Sequence, residues 1–238
     1  MKKILFISAL SLTYLFGYWG ENAKGVIAHF DTNKKVVALT FDACGGSVKS
    51  SGYDKKLIDF LIEHKIQATL FINSRWIDTN PELFKALASN PLFEIENHGT
   101  KHKPLSLAGA KAYNIEGTKN AGEVKEEILG NDQKILALTG RKMRFFRSGT
   151  AYYDDESVQI LNSLGYDAIG FSINGDAGAT FSEKEIENAL LKAKPGDIII
   201  SHMNHPEGQT ANGYIKALTI LQKEGWGFVK LEQALPKR

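Results

Sequence analysis

Between Val36 and Leu231 the chain alternates short apolar runs with segments whose apolar residues return at helical spacing, about seven times over. VVALTF (36–41) precedes KKLIDFLIEHK, where Leu57, Ile58, Leu61 and Ile62 share a helical face. ATLFIN leads to a helix starting at Asn80 with Pro81 in its first turn. FEIENH is followed by a long polar stretch and then by EVKEEILGNDQKILALTG, which Gly140 should end. MRFFR, DESVQILNSLG, DAIGFSIN, SEKEIENALLKA, DIIISHM, TANGYIKALTILQKEG and GFVKL complete the series. Strand and helix in strict alternation require right-handed crossovers and a parallel sheet, and the nearly all-apolar strands suit a sheet covered on both faces. The segment Leu105–Ala121 is the least patterned and reads as a long loop near the site.

At 238 residues the body fits one α/β domain. Of 29 Lys+Arg and 27 Asp+Glu, Lys2 and Lys3 supply the excess, so the remainder is near neutral. No basic field argues for a nucleic-acid partner. Residues 1–20, MKKILFISALSLTYLFGYWG, pair two lysines with an apolar run to Trp19 and read as a signal peptide or N-terminal anchor, leaving 21–238 as the functional domain. A buried first helix is the weaker alternative. No clean small-x-small cleavage site is present, and the run is short for a full span, so no stable membrane span is expected after processing. Export places the body in the periplasm, cell envelope or extracellular space, where the single cysteine, Cys44, has no internal disulfide partner.

Loops leaving the C-terminal ends of parallel strands build the site in folds of this class. Asp42 ends the first run, His98 and His102 follow FEIEN, Arg147 ends MRFFR, Asp176 follows DAIGFSIN, and His202 and His205 follow DIIIS. Each has an ordinary alternative: Asp42 as a turn cap, Arg147 with Asp176 as a structural ion pair, His205 as surface loop. Their joint position on one rim does not. His98 and His102 stand four apart, a spacing that on a helical turn would let both imidazoles share a metal.

These residues resemble the polysaccharide deacetylases, carbohydrate esterase family 4, whose domain is also called the NodB-homology domain. The resemblance runs from about Lys35 to Leu231 in five motifs. LTFDAC is similar to the family's Thr-Phe-Asp-Asp, HGTKH to His-x-x-x-His, and IIISHM to an apolar strand ending in Leu-His. FRSGT stands where Arg-Pro-Pro-Tyr is usual, and NGDAG occupies the fourth position.

The resemblance implies a distorted (β/α) barrel and a divalent cation, usually zinc, that serves the removal of N-acetyl groups from a polysaccharide. It implies Asp42 as base, His202 as acid, Arg147 and Asp176 as orienting groups with Asp176 holding Arg147 against Asp42, and His98 and His102 as metal ligands. The backbone N–H of Thr150 stands where the family's Tyr donates to the oxyanion. Tyr152 and Tyr153 offer aromatic surface for sugar rings, or serve as packing.

Ala43 replaces the family's second aspartate, the third metal ligand. Three repairs are open: Asp42 also binds the metal, Cys44 turns inward as a thiolate, or the two histidines suffice with water and substrate. The first and third are preferred, because Cys44 falls where the family has glycine and small buried thiols are common. Two further readings stay open: a carbohydrate-binding protein that lost turnover with the carboxylate, and a hydrolase of another linear or cyclic amide.

Overall fold

The computed structural model describes residues 17–236. Most of the expected leader, residues 1–16, therefore lies outside the described residues; on the leader side of position 20, Trp19–Gly20 pair antiparallel with Tyr153–Asp154. Among the described residues no helix is long and apolar enough to cross a membrane.

Eight strands form one sheet: β1 Val36–Ala43, β2 Ala68–Ile72, β3 Phe93–Asn97, β4 Phe145–Phe146, β5 Asp167–Ala168, β6 Ile173–Asn174, β7 Ile198–His202 and β8 Gly227–Val229. Their order is β6-β7-β1-β2-β3-β4-β5, with β8 beside the start of β1, and every pairing is parallel. The distorted barrel with about seven parallel strands is thus the fold, with one difference. DAIGFSIN, expected as one strand, supplies two, β5 and β6, which sit on opposite edges of the sheet.

Four residues join those edges, so the sheet must curl until its edges nearly meet. Part of the N-terminal segment lines the seam: Ile27 bridges Ile169, Gly170 N–H donates to Ile27 O at 2.9 Å, and His29 bridges Asp197. A run that looks continuous in sequence breaks where its backbone donors leave one edge for the seam and then for the other edge.

The helices form where side chains satisfy their free ends and bury one stripe. Asp54 accepts from Leu57 N–H to start α1 (Lys55–Glu63), which buries Leu57, Ile58 and Leu61 but leaves Ile62 40% exposed. The short α2 (Ser74–Thr79) is capped by Asn73, and α3 (Pro81–Ser89) opens on Pro81 as expected. Helix α4 (Ala121–Thr139) ends at Gly140 in the left-handed conformation, φ 70°. Then come α5 (Asp155–Ser163), α6 (Glu183–Leu190) with its Ser182–Glu185 capping box, α7 (Thr210–Lys223) and α8 (Leu231–Ala234).

The core divides into two layers along β1. Leu39, Phe41 and Ala43 join the large cluster that contains Leu57, Leu61 and Tyr214 of the helices, while Ala38 joins a smaller cluster with Phe71 and Phe145. Successive side chains alternate across a strand, so Thr40 and Asp42 share Ala38's face. Parallel register then aligns the strand ends: His202 lies opposite Asp42, and Asp42 opposite Phe71.

Candidate active site

Asp42, the penultimate residue of β1, lies fully inside the barrel, with 2% of its surface exposed. A buried carboxylate needs a countercharge, and Arg147, just after β4 and equally sealed, provides it. Arg147 Nη1 donates to Asp42 Oδ1 and to Thr40 Oγ1, both at 2.8 Å, and Nη2 donates to Gly170 O at 2.9 Å. Its guanidinium lies over the Phe71 ring at 4.3 Å. These contacts fix Oδ1. The other oxygen, Oδ2, stands 3.6 Å from His98 Nε2.

Asp176 does not hold Arg147, contrary to the expectation from sequence. It belongs to His202: Oδ1 lies 2.9 Å from His202 Nδ1, while Oδ2 accepts His202 N–H at 2.7 Å and Thr210 Oγ1–H at 3.0 Å. The reason is topological, since β6 pairs with β7 and so carries Asp176 to the end of the strand that bears His202. Burial alone would pull His202 toward neutrality, but the Asp176 charge and hydrogen bond raise its pKa above the ordinary value. Burial likewise pushes Asp176 up, and the His202 charge with the hydrogen bonds from His202 and Thr210 outweighs it and holds the carboxyl low. The charged form of His202 is thus favoured, with Nδ1 occupied and Nε2 left for the cleft.

The histidine pair comes together on a loop and not on the helical turn that its spacing suggested. Gly99 has φ 79° and His102 φ 61°, and the ring centroids end 4.8 Å apart, edge to face. Helix α4 shapes this loop through Glu127, whose carboxylate accepts the N–H groups of Lys101 (2.9 Å) and Lys103 (3.1 Å). A Cβ on Gly99 would sit 2.4 Å from that carboxylate, and one on Gly149 would sit 2.2 Å from the His102 carbonyl group. FRSGT therefore carries glycine where the family has proline because the histidine loop rests directly on it.

Neither Glu127 nor Asn73, which donates to the carbonyls of His98 (2.9 Å) and Gly99 (2.7 Å), was picked out from sequence. A signal did exist for Glu127: it shares the buried stripe of α4 with Val124, Ile128, Asn131 and Ile135. A carboxylate on an apolar stripe asks for a partner.

His98 Nδ1 lies 2.9 Å from the carbonyl oxygen of Arg147 and must donate to it, which turns the lone pair of Nε2 inward. His102 Nε2 is sealed from solvent and has no hydrogen-bond partner among the described residues. Burial lowers both pKa values, His102 well below the ordinary value, which favours neutral rings able to donate a lone pair. An orphaned imidazole nitrogen beside a second ring whose Nε2 lone pair faces inward fits a divalent cation.

The compact donor group in the structure is Cys44, His98 and His102, with ligand atoms all within 4.8 Å of one another. Asp42, expected as ligand as well as base, is not one of those three: its Oδ1 is held by Arg147, and its Oδ2 stands 3.6 Å from His98 Nε2. Cys44 is half-buried, with Sγ 3.8 Å from His98 Nε2, and burial together with the Asp42 charge pushes its thiol pKa well up.

A cavity of about 290 Å³ opens beside His102, lined among others by Asp42, His202, Thr150 and Tyr113. Thr150 thus borders the cavity. Tyr152 reaches it through Tyr113, its ring lying 5.6 Å from Tyr113 and 5.7 Å from Trp19. Tyr153 is a core residue: its hydroxyl donates to Ile169 O at 3.1 Å and accepts Ser148 N–H at 2.9 Å. His205 pairs with Glu207 on the surface loop. The long segment before α4 contains a small hairpin, Lys111–Ala112 with Ile115–Glu116, that carries Tyr113 to the cavity mouth.

A family model described as polysaccharide deacetylase matches residues 29–169, more than half of the chain. The chain belongs to the polysaccharide deacetylase family. Among its relatives, the peptidoglycan-N-acetylmuramic acid deacetylase PdaA of Bacillus subtilis is 22% identical over 91% of this chain and 80% of that protein. A peptidoglycan-N-acetylglucosamine deacetylase of Bacillus cereus is 26% identical over 85% of this chain and 89% of that protein. The solved structure of PdaA, a family 4 carbohydrate esterase, superposes with a TM-score of 0.71 at 21% identity, covering 88% of this chain and 84% of that one. A family 4 pseudoenzyme from Bacillus anthracis has the same fold, with a TM-score of 0.72 at 22% identity over 89% of this chain and 69% of that one.

Proposed function

We propose that the chain is an exported, cation-dependent hydrolase that removes acetyl groups from N-acetylated amino sugars of a cell-envelope glycan, with peptidoglycan as the nearest such polymer. The observation that carries this reading is the pair of wired groups facing one cavity: a carboxylate with one free oxygen and an imidazolium with one free nitrogen. Hydrolysis of an unactivated amide requires both, one to take a proton from water and one to give a proton to the departing amine.

Asp42 accepts the water proton at Oδ2, while Arg147 holds Oδ1 and keeps the carboxylate charged and aimed. His202 gives the proton on Nε2 to the sugar amine as the C–N bond breaks, and Asp176 keeps its ring oriented and charged until then. The Thr150 backbone borders the space where negative charge would develop on the acyl oxygen. His98 and His102 would hold a divalent cation, zinc by family habit, and that ion when bound supplies carbonyl polarisation and a more acidic water. Tyr113, 69% exposed at the cavity mouth, presents an aromatic face to a neighbouring sugar ring. The apolar residues 4–19 after two lysines support export to the periplasm or envelope.

Ala43 motivates a rival reading, a glycan-binding protein without turnover. The intact proton-transfer pairs count against it, because sugar binding alone needs neither. The test is acetate release from chitooligosaccharides and from N-acetylated peptidoglycan, before and after chelation and zinc restoration. Release that stops on chelation and returns with zinc is expected. Well-folded protein that binds the glycan but liberates no acetate with any divalent ion would establish the binder.

A further inference from the structure

The histidine pair offers two neutral ligands, and a cation that acts on a substrate is usually held by three from the protein. The position that gives the family its third, anionic ligand is Ala43, a methyl group packed in the same apolar cluster as Phe41 and Ile72. Two residues along from Asp42 stands the only thiol of the chain. Cys44 Sγ is 3.8 Å from His98 Nε2, the three residues bring their ligand atoms within 4.8 Å of one another, and His102 Nε2 has no hydrogen-bond partner among the described residues. A tetrahedral zinc separates its sulfur and nitrogen ligands by about 3.6 Å, from bond lengths of about 2.3 and 2.1 Å. The Cys44–His98 spacing is therefore near that of two ligands on one tetrahedral ion.

We propose that Cys44 is the third protein ligand of the cation, so that a thiolate replaces the missing carboxylate and the centre is Cys-His₂. The proposal rests on the reading that the histidine pair holds a divalent ion. Ligation replaces the S–H bond by a sulfur–metal bond and releases one proton to solvent, with no change of oxidation state. The ligand set carries a single negative charge, as a carboxylate with two imidazoles would, so the net charge at the acyl oxygen is preserved. Its softness is not. Thiolate favours zinc and cobalt over magnesium, calcium and manganese, and it makes the centre vulnerable to thiol oxidation and alkylation. The same contact explains why a half-buried cysteine stands at a strand end where a small apolar residue would have packed as well.

The test uses the full-length protein stripped of metal and reloaded with Co²⁺. A thiolate-to-cobalt charge-transfer band in the near ultraviolet is expected in the native protein and is lost in Cys44→Ser, with zinc affinity falling about tenfold or more, as for loss of a supporting ligand group. A second readout needs no variant: Zn²⁺ should protect the native thiol from iodoacetamide, and magnesium should not. Cobalt bound without the band, or zinc bound without protection, overturns the assignment of Cys44 and leaves the deacetylase reading standing. Failure of the native protein to bind cobalt or zinc at all overturns both. Acetate release plays no part in these readouts, so an inactive but metal-binding protein still decides the ligand.

Discussion

Two halves of one cleft are built differently. On the side proposed for proton transfer, Asp42 and His202 each have a dedicated partner, Arg147 and Asp176, and each keeps one atom free. On the opposite side, Cys44, His98 and His102 have few partners, and His102 Nε2 has none among the described residues. Groups that must hold a defined protonation state are tied down by charge. The groups proposed to hold an ion are positioned through their backbone and the far ring nitrogen of His98, by Glu127, Asn73 and the Arg147 carbonyl, and His102 Nε2 stays open. The two halves should therefore fail differently when disturbed.

The largest expected effect lies in the proton-transfer half. Asp42→Asn should lower kcat for acetate release by about 10²–10⁴ while leaving zinc binding close to that of the native protein. Steady-state kinetics paired with metal titration check this, and equal losses of both would erase the distinction between the halves. Arg147→Ala tests how far the same half supports the fold. Leaving Asp42 buried without its partner should cost about 3–5 kcal/mol, read as a lower midpoint in urea.

In the metal-facing half, Glu127→Ala frees the backbone of the histidine loop and should weaken zinc about 10–100-fold. Its pH dependence of turnover should not change. A displaced pH profile with unchanged zinc affinity would reverse the roles given to the two halves.

The pH profile of the native enzyme should decline on the alkaline side as His202 loses its proton. Because Asp176 raises that pKa, the decline lies above the ordinary imidazole value of about 6.5. The stabilisation from this pair is complete below about 6.5 and is lost as pH rises through the raised value. On the acid side, Asp176 contributes stability above the ordinary carboxyl range, lost as pH falls through its lowered value. Asp176→Asn should move the alkaline decline of kcat to lower pH, and an unmoved limb would mean that His202 is not the acid.

Much of this was legible in the chain. Apolar runs covered on both faces, with helical stripes between them, dictated a parallel sheet, and strand ends pointed to Asp42, His98, Arg147 and His202. Other features depend on tertiary closure. DAIGFSIN has the composition of one strand, and only the curl of the sheet divides it between two edges. HGTKH has helical spacing, yet a carboxylate from α4 pulls its backbone into a left-handed loop. Asp176 could be seen as an orienting group, but its partner is decided by which strands pair. Tyr113–Asn114 hides a hairpin turn, both residues having positive φ without the glycine that usually marks one. Cys44 had the character of a packing residue until the geometry set it beside His98 and the unpartnered ring of His102.

Anomalous scattering at the zinc edge, from crystals of the zinc-loaded protein, addresses the central claim most directly. A single ion bonded to the ring nitrogens of both His98 and His102, with the free oxygen of Asp42 facing the cavity beside it, is the expected result. An ion bound elsewhere, with those imidazoles turned apart, would contradict the account of the cleft as one hydrolytic centre.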